Sequence, residues 1–144
     1  MKSNRAVVIS SAVAHGLAWA AFLWLVFWPY SYQGTRATPI GPDGSGGEVV
    51  SVSASMIEIN GPGVLIPLLV PVALTAIGLL NVLTWDGRNS RSSILLWVSV
   101  VLLIVFCVLA MFSIGMFYLP AALTLLVSAV IMSGRTRPKL AKDE

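Results

Sequence analysis

The sequence predicts an all-α integral membrane protein, with four transmembrane helices in an antiparallel bundle and a small extracytoplasmic β-hairpin between the first and second helices. Composition and charge placement predict this class. The chain of 144 residues is 57% hydrophobic and only 10% charged, whereas an ordinary soluble domain has about 25% charged residues. Three long stretches of the chain contain no charged residue at all.

The lengths of these stretches give the number of transmembrane helices. A hydrocarbon core of about 30 Å needs roughly 20 helical residues at 1.5 Å per residue. Two stretches supply one helix each, and the third, residues 94–133, is long enough for two, with Ser113, Ile114 and Gly115 offering a break in its middle. The predicted helices lie at about 6–28, 64–84, 94–112 and 116–133.

Lysine and arginine predict the orientation, because basic loops remain in the cytoplasm during insertion. With the N-terminus inside, eight of the nine basic residues fall on the cytoplasmic side, and only Arg36 falls outside. The sequence therefore predicts a multi-pass protein of the cell (inner) membrane with both termini cytoplasmic. The chain is a single domain, residues 1–144, with an outer loop at 29–63 and a cytoplasmic tail at 134–144. We interpret its positive charge as an insertion signal rather than a nucleic-acid-binding surface.

The outer loop carries the pattern of a β-hairpin. Its middle, GPDGSGG, is a cluster of turn-forming residues. Valine, alanine and methionine then alternate with serine over residues 50–56, which is the period of a half-buried strand, and residues 30–38 can supply the partner strand. The alternation slips by one at residues 57–59, which fits a bulge or the end of the strand. Because a two-stranded ribbon is marginal in water, we expect it to rest on the helix ends or on another protein.

The single histidine of the chain, His15, lies in the middle of the first predicted helix. Counted from the inner end of each helix, His15 lies nine residues deep, or about 13 Å. Thr75 and Thr124 lie at the same depth in the second and fourth helices. An imidazole in lipid needs hydrogen-bond partners, and ionisable groups in membrane spans are candidates for function. The sequence therefore predicts a buried polar cluster of these three residues.

Two further features of the predicted helices are candidates for packing or binding. Pro67 and Pro71 lie four residues apart, so they share a helix face and free backbone carbonyls that need another partner, either in a gentle kink or in a binding cleft. Ala12, Gly16 and Ala20 form a small-residue face that permits close helix approach. The partner of this face is another helix of the same chain or the first helix of a second copy.

These residues leave several functions open. No catalytic residue and no metal site is predicted, no cofactor is expected, and enzyme activity is not favoured, because the membrane segments contain no carboxylate and no cluster of metal ligands. The favoured interpretation is an accessory or interaction subunit of a membrane complex. The alternatives are a small homodimeric transporter or channel with His15 on the pathway, and a haem- or quinone-linked redox protein. The expected partners are the lipid bilayer and a membrane protein or a second copy.

Overall fold

The computed structural model describes residues 2–30, 32–37, 47, 49–85 and 90–134. Within them the chain is mostly helical, with four helices long and apolar enough to cross a membrane and one small antiparallel sheet. The elements are α1 (Lys2–Phe27), β1 (Tyr32–Ala37), β2 (Val49–Ala54), α2 (Met56–Asn60), a 3₁₀ turn (Pro62–Val64), α3 (Leu65–Leu83), α4 (Ser90–Leu109), a π-type turn (Met111–Gly115) and α5 (Met116–Ser133).

The four long helices form a ring in which each packs on two neighbours. The main contacts join α1 to α3, α3 to α4, α4 to α5 and α5 back to α1. Between 28% and 44% of the most apolar part of each long helix is buried inside the chain. Most of the apolar surface therefore faces outwards, where a membrane protein presents such side chains to lipid. The largest fully buried side chains include Leu25, Leu68, Leu96, Leu103, Tyr118 and Leu125.

The connection between α4 and α5 lies at the break that the sequence predicts. α4 ends at Leu109, three residues earlier than expected, and the π-type turn covers the predicted break at residues 113–115. Gly115 is required in this turn, because a Cβ atom there would overlap the backbone oxygen of Cys107 and the carbonyl group of Ala110. Because residue 115 has no side chain, these backbone segments can lie close together, and the two long helices reverse direction within a few residues.

The outer segment contains the predicted hairpin and one helix that the sequence pattern did not reveal. β1 pairs with β2 in a register that places Tyr32 opposite Ala54 and Ala37 opposite Val49. The phase slip after the strand marks its end, because α2 begins at Met56 directly after the N-cap residue Ser55. The predicted turn at residues 41–47 lies outside the described residues except for Gly47.

The N-terminus of α2 is held by a capping box. The backbone amide of Ser55 donates a 2.7 Å hydrogen bond to the carboxylate of Glu58, as the reciprocal pairing of N-cap and third helical residue predicts. This bonding with Ser55 lowers the pKa of Glu58 below its ordinary value. The box gives α2 a defined start even though the helix has only one turn and a half.

Candidate functional site

The structure brings His15 and Thr75 together between α1 and α3. Nδ1 of His15 lies 3.1 Å from the Thr75 hydroxyl oxygen. On its other side, the indole N–H of Trp19, one helical turn further along α1, donates a 3.1 Å hydrogen bond to Nε2 of His15. Thr75 is fully buried, whereas His15 is half-buried. The imidazole therefore sits at the edge of the helix interface, between a buried hydroxyl and an exposed indole.

The partners of His15 assign a role to each of its ring nitrogens. An indole N–H can only donate, so Nε2 of His15 accepts and carries no proton. With Nε2 as the acceptor, Nδ1 is the ring nitrogen that donates to the Thr75 hydroxyl oxygen. The Thr75 hydroxyl donates its single proton in a bifurcated hydrogen bond to the carbonyl oxygens of Pro71 and Val72, at 3.0 and 2.9 Å. The result is a directed chain of hydrogen bonds in which both ring nitrogens have a partner.

A closed chain of this kind restricts the chemistry available to His15. Nε2 of His15 cannot bind a metal or haem iron, or accept a proton, while it accepts the hydrogen bond from Trp19. The described residues contain no group of three or more His, Cys, Asp or Glu side chains that could complete a metal site. As it stands, the arrangement joins α1 to α3 and leaves no lone pair of the ring open.

Thr124 does not join this cluster, which corrects the predicted set of three. Its hydroxyl donates a 2.7 Å hydrogen bond to the carbonyl oxygen of Pro120 in its own helix, and the residue is half-buried. Depth in the membrane was predicted from residue counts, but the direction in which each side chain points was not. A polar contact between α1 and α5 is instead made by Ser10 and Ser128, whose hydroxyl oxygens are 2.6 Å apart.

The two prolines of α3 lie in different environments. Pro71 is buried inside α3, whereas Pro67 is exposed. Near them, the hydroxyl of Tyr118 donates a 2.9 Å hydrogen bond to the carbonyl oxygen of Leu68. A tyrosine of α5 therefore bonds directly to the backbone of α3, three residues before Pro71. The carbonyl that Pro71 leaves without its helical partner is that of Pro67, four residues earlier, and not that of Leu68.

Sequence reasoning missed Tyr118. A signal was available, because Tyr118 is the single tyrosine inside a predicted transmembrane helix, and a phenol in lipid needs an acceptor for its proton. Tyr118 is fully buried and its ring makes an edge-to-face contact with Phe106, with centroids 6.1 Å apart. Tyr118, a residue of α5, therefore contacts both α3 and α4.

The small-residue face of α1 points away from the rest of the chain. Ala12, Gly16 and Ala20 are all exposed, and a Cβ atom built on Gly16 meets no other atom within 4 Å. Inside the chain α1 packs with a different face, which carries Ser11, Ala14, Ala18 and Leu25. No other helix of the same chain covers Ala12, Gly16 and Ala20. Of the two predicted partners, the first helix of a second copy remains, and a helix of a different membrane protein would fit the same exposed face.

A shallow apolar groove borders this exposed face. It has a volume of about 350 Å³ and lies between α1 and α5. Its lining residues are Leu17, Ala20, Ala21, Trp24, Phe117 and Pro120. Ala20 belongs to both surfaces, so the small-residue face and the groove form one continuous apolar strip on the outside of α1.

Comparisons with known proteins add no further information about the site. No family model, no curated protein and no solved structure matches this chain. The functional argument therefore depends on the geometry of these residues.

Proposed function

We propose that this chain is a small four-span protein of the inner membrane, with both termini in the cytoplasm, that acts as an accessory or interaction subunit of a membrane complex. The four helices long enough to cross a membrane support the membrane location. The excess of basic residues on the predicted cytoplasmic side supports the orientation.

The exposed face of Ala12, Gly16 and Ala20 carries this proposal. Glycine and alanine at four-residue spacing let two helix backbones approach closely in a membrane. Van der Waals packing then drives the association, because lipid tails are as apolar as the helix side chains. A glycine inside a helix costs about 0.5–1 kcal/mol relative to alanine. Packing inside the chain does not offset this cost at Gly16, because no atom lies within 4 Å of the position that a Cβ atom would occupy there. Close contact with a second helix explains why a glycine occupies this position.

The outer hairpin supports the same function. Residues Gln33 and Thr35 of β1 and Ser51 and Ser53 of β2 are exposed, and on the opposite face Val50 is 49% exposed. The two strands contact each other and touch the helices only sparsely. Because an isolated two-stranded ribbon is marginal in water, this ribbon gains its stability from a partner on the outer side of the membrane.

The hydrogen-bond chain around His15 favours a structural role for that residue. A proton carrier needs a group that gains and loses a proton during transport, and carboxylates usually share the task. Here the imidazole is satisfied on both nitrogens. These hydrogen bonds join α1 to α3 and hold α1 at the rotation about its axis that leaves Ala12, Gly16 and Ala20 exposed.

The alternative of a homodimeric transporter has one observation in its favour. His15 is half-buried and its partner Trp19 is 40% exposed, so the imidazole lies close to the surface that a second copy would cover. In a proton-coupled carrier, His15→Ala abolishes flux in reconstituted vesicles while the protein remains folded. In an interaction subunit the same variant loses thermal stability instead.

The interaction proposal is tested with Gly16→Leu. The full chain is purified from its native membrane in mild detergent and its mass is measured by size exclusion with light scattering. We expect a stoichiometric complex with another protein for the wild type, and loss of the partner for Gly16→Leu, because the leucine side chain separates the two helices. Ala73→Leu is the matched control, since Ala73 is an exposed small residue on α3.

Three results would contradict the proposal. One is a lone monomer or lone homodimer for the wild type, another is an unchanged complex with Gly16→Leu, and the third is an equal loss of complex with Ala73→Leu. The orientation is tested separately by labelling intact cells with a membrane-impermeant maleimide. In a Cys107→Ala background, Ser53→Cys is labelled from outside, whereas Asn89→Cys is labelled only after permeabilisation.

A further inference from the structure

The turn between α4 and α5 exposes an apolar surface at the end of the bundle that carries the hairpin. Phe112 is fully exposed, Leu109 is 82% exposed, and Met111 and Met116 beside them are exposed as well. A turn that faces water is usually built from glycine, proline, asparagine, aspartate and serine. Here residues 110–115 include one serine and one glycine, and the other four are apolar. The turn therefore lacks the composition of a connection that lies in water.

The other two connections between the long helices differ from this turn in charge. The connection from α1 to α3, residues 28–64, contains four charged residues, and the connection from α3 to α4, residues 84–89, contains two. From residue 92 to residue 134 the chain has no charged residue. Because a charged side chain is costly inside the membrane, the turn between α4 and α5 is the connection best suited to lie there.

The contact between α1 and α5 gives the level of this turn in the bundle. Ser10 of α1 touches Ser128 of α5, and the two helices run in opposite directions. Phe112 lies sixteen residues beyond Ser128 towards the hairpin end. The same number of residues beyond Ser10 is Val26, so Phe112 is at most level with Val26. This level is an upper limit, because the i→i+5 hydrogen bonds of a π-type turn make it wider and shorter than an α-helix.

The groove between α1 and α5 supports the same alignment nearer to the turn. The count from Ser10 and Ser128 places Phe117 level with Ala21. Phe117 and Ala21 both line the groove, and so they lie side by side as the count requires. The alignment of the two helices therefore holds from their serine contact to the start of α5.

The level of Val26 corresponds to the edge of the membrane hydrocarbon. Arg5 is the last charged residue of α1, and a hydrocarbon core of about 30 Å covers roughly 20 helical residues, which from Arg5 ends one residue before Val26. The indoles of Trp24 and Trp28, stacked with centroids 4.3 Å apart and both exposed, lie at the same level. Tryptophan favours the boundary between hydrocarbon and headgroups. Phe112 therefore does not extend beyond the hydrocarbon.

We propose that the turn between α4 and α5 is immersed in the membrane on the side of the hairpin, where Leu109, Met111 and Phe112 contact the acyl chains of lipids. This inference rests on the membrane location proposed above, but not on the interaction face of α1 or on the orientation of the chain. Among the described residues, the surface that meets water at this end is then formed by the elements between α1 and α3.

The backbone of the turn is suited to a lipid environment. Ala110 is the one residue between α4 and the π-type turn. Its carbonyl oxygen accepts hydrogen bonds from the amides of Ser113 and Gly115, at 3.0 and 2.7 Å, and its own amide donates to the carbonyl oxygen of Phe106 at 2.9 Å. Because lipid tails offer no hydrogen-bond partners, a connection inside the membrane needs internal bonds of this kind.

Nitroxide accessibility tests the proposal. The full chain with Cys107→Ala and Phe112→Cys is spin-labelled and reconstituted into phosphatidylcholine vesicles. Power saturation is then measured with oxygen, which concentrates in hydrocarbon, and with a nickel chelate, which remains in water. We expect the oxygen-to-nickel accessibility ratio at Phe112→Cys to be several-fold higher than at Ser53→Cys on the hairpin. Leu109→Cys should give the same result, and neither label requires repacking because both side chains are exposed.

Ile77→Cys is the matched control inside the membrane, because Ile77 is an exposed residue in the middle of α3. If Ile77→Cys does not favour oxygen, the proposed membrane location is wrong and the inference fails with it. If Ile77→Cys favours oxygen while Phe112→Cys and Leu109→Cys favour the nickel chelate, the turn lies in water and only this inference is overturned. Exclusion of both reagents from the two turn positions also overturns it, because protein would then cover the turn.

Discussion

Nδ1 of His15 and the hydroxyl oxygen of Thr75 are 3.1 Å apart and join α1 to α3 across 60 residues of sequence. Trp19 completes the arrangement by donating to the other ring nitrogen. Two consecutive hydrogen bonds, one within α1 and one between helices, hold the imidazole in place and fix the rotation of α1. The exposed face of Ala12, Gly16 and Ala20 follows from that rotation.

Loss of the imidazole should loosen α1. His15→Ala removes the bonds to Thr75 and Trp19, and an interhelical hydrogen bond in a membrane contributes about 1 kcal/mol, so the thermal unfolding midpoint in detergent should fall by a few degrees. His15→Gln can hydrogen-bond to Thr75 and should recover part of the loss. If His15→Ala and His15→Gln unfold at the wild-type temperature, the hydrogen-bond chain contributes no stability.

Removal of the Tyr118 hydroxyl should also destabilise the bundle. Tyr118→Phe leaves the ring in place but removes the hydrogen bond to the Leu68 carbonyl oxygen, and a hydrogen bond of this kind contributes about 0.5–1.5 kcal/mol. Unfolding should therefore occur at lower temperature. Tyr30→Phe is the matched control, because Tyr30 is 61% exposed, and it should unfold like the wild type. Equal midpoints for the two variants would show that the bond to Leu68 contributes nothing.

Substitution by alanine should have opposite effects on stability at two glycines. Gly115→Ala forces a methyl group into the backbone of the α4–α5 turn, which should cost about 3 kcal/mol or more and reduce the yield of monodisperse protein. Gly16→Ala meets open space in the isolated chain and should stabilise α1 by about 0.5–1 kcal/mol. Thermal unfolding of both variants in detergent measures the contrast. Tolerance of Gly115→Ala would contradict the packing of the turn.

Two adjacent serines of α1 offer a second contrast. The Ser11 hydroxyl is buried and has no hydrogen-bond partner among the described residues, whereas the Ser10 hydroxyl lies 2.6 Å from that of Ser128. Because an unsatisfied buried hydroxyl contributes nothing favourable, Ser11→Ala should unfold at or above the wild-type temperature. Ser10→Ala should unfold below it, since it breaks the contact with α5. The reverse order of the two midpoints would refute this assignment.

The outer helix α2 should be sensitive to acid. Hydrogen bonds from Ser55 lower the pKa of Glu58 below its ordinary value of 4.5. A carboxylate whose pKa is lower in the folded state stabilises that state above its unfolded pKa and loses this contribution as the pH falls through the folded pKa. The protection of the amides of residues 56–60 against hydrogen exchange, relative to the unfolded chain at the same pH, should therefore decrease below the ordinary pKa of Glu58. In Ser55→Ala, where the hydroxyl of the capping box is missing, exchange should already be faster at pH 7.

Hydrophobic pattern alone was sufficient for the long helices and the strands. The charge-free stretches gave four helices long enough to cross a membrane, and the fourth, Met116–Ser133, has the bounds that were predicted. The alternation of valine and serine gave β2, and the interruption of that alternation marked its end. These features depend on residues near one another in the chain, whose period reports the local backbone directly.

The candidate site needed the tertiary structure. Residue counts gave the depth of His15 and Thr75 in their helices, and the two side chains meet. The same counts placed Thr124 at equal depth, but its hydroxyl bonds within its own helix. Residue counts also did not predict the hydrogen bond from Tyr118 to the backbone of α3.

The sequence by itself determined the number of long apolar helices and their approximate lengths, because these quantities follow from the rise per residue and the need to shield the backbone from lipid. Only the tertiary structure decided which face of α1 turns inwards. A helix with alanine, glycine and serine on several faces has no dominant apolar direction, so its rotation is set by contacts such as Ser10 with Ser128 and His15 with Thr75. Those contacts join residues far apart in sequence, and they leave Gly16 on the outside.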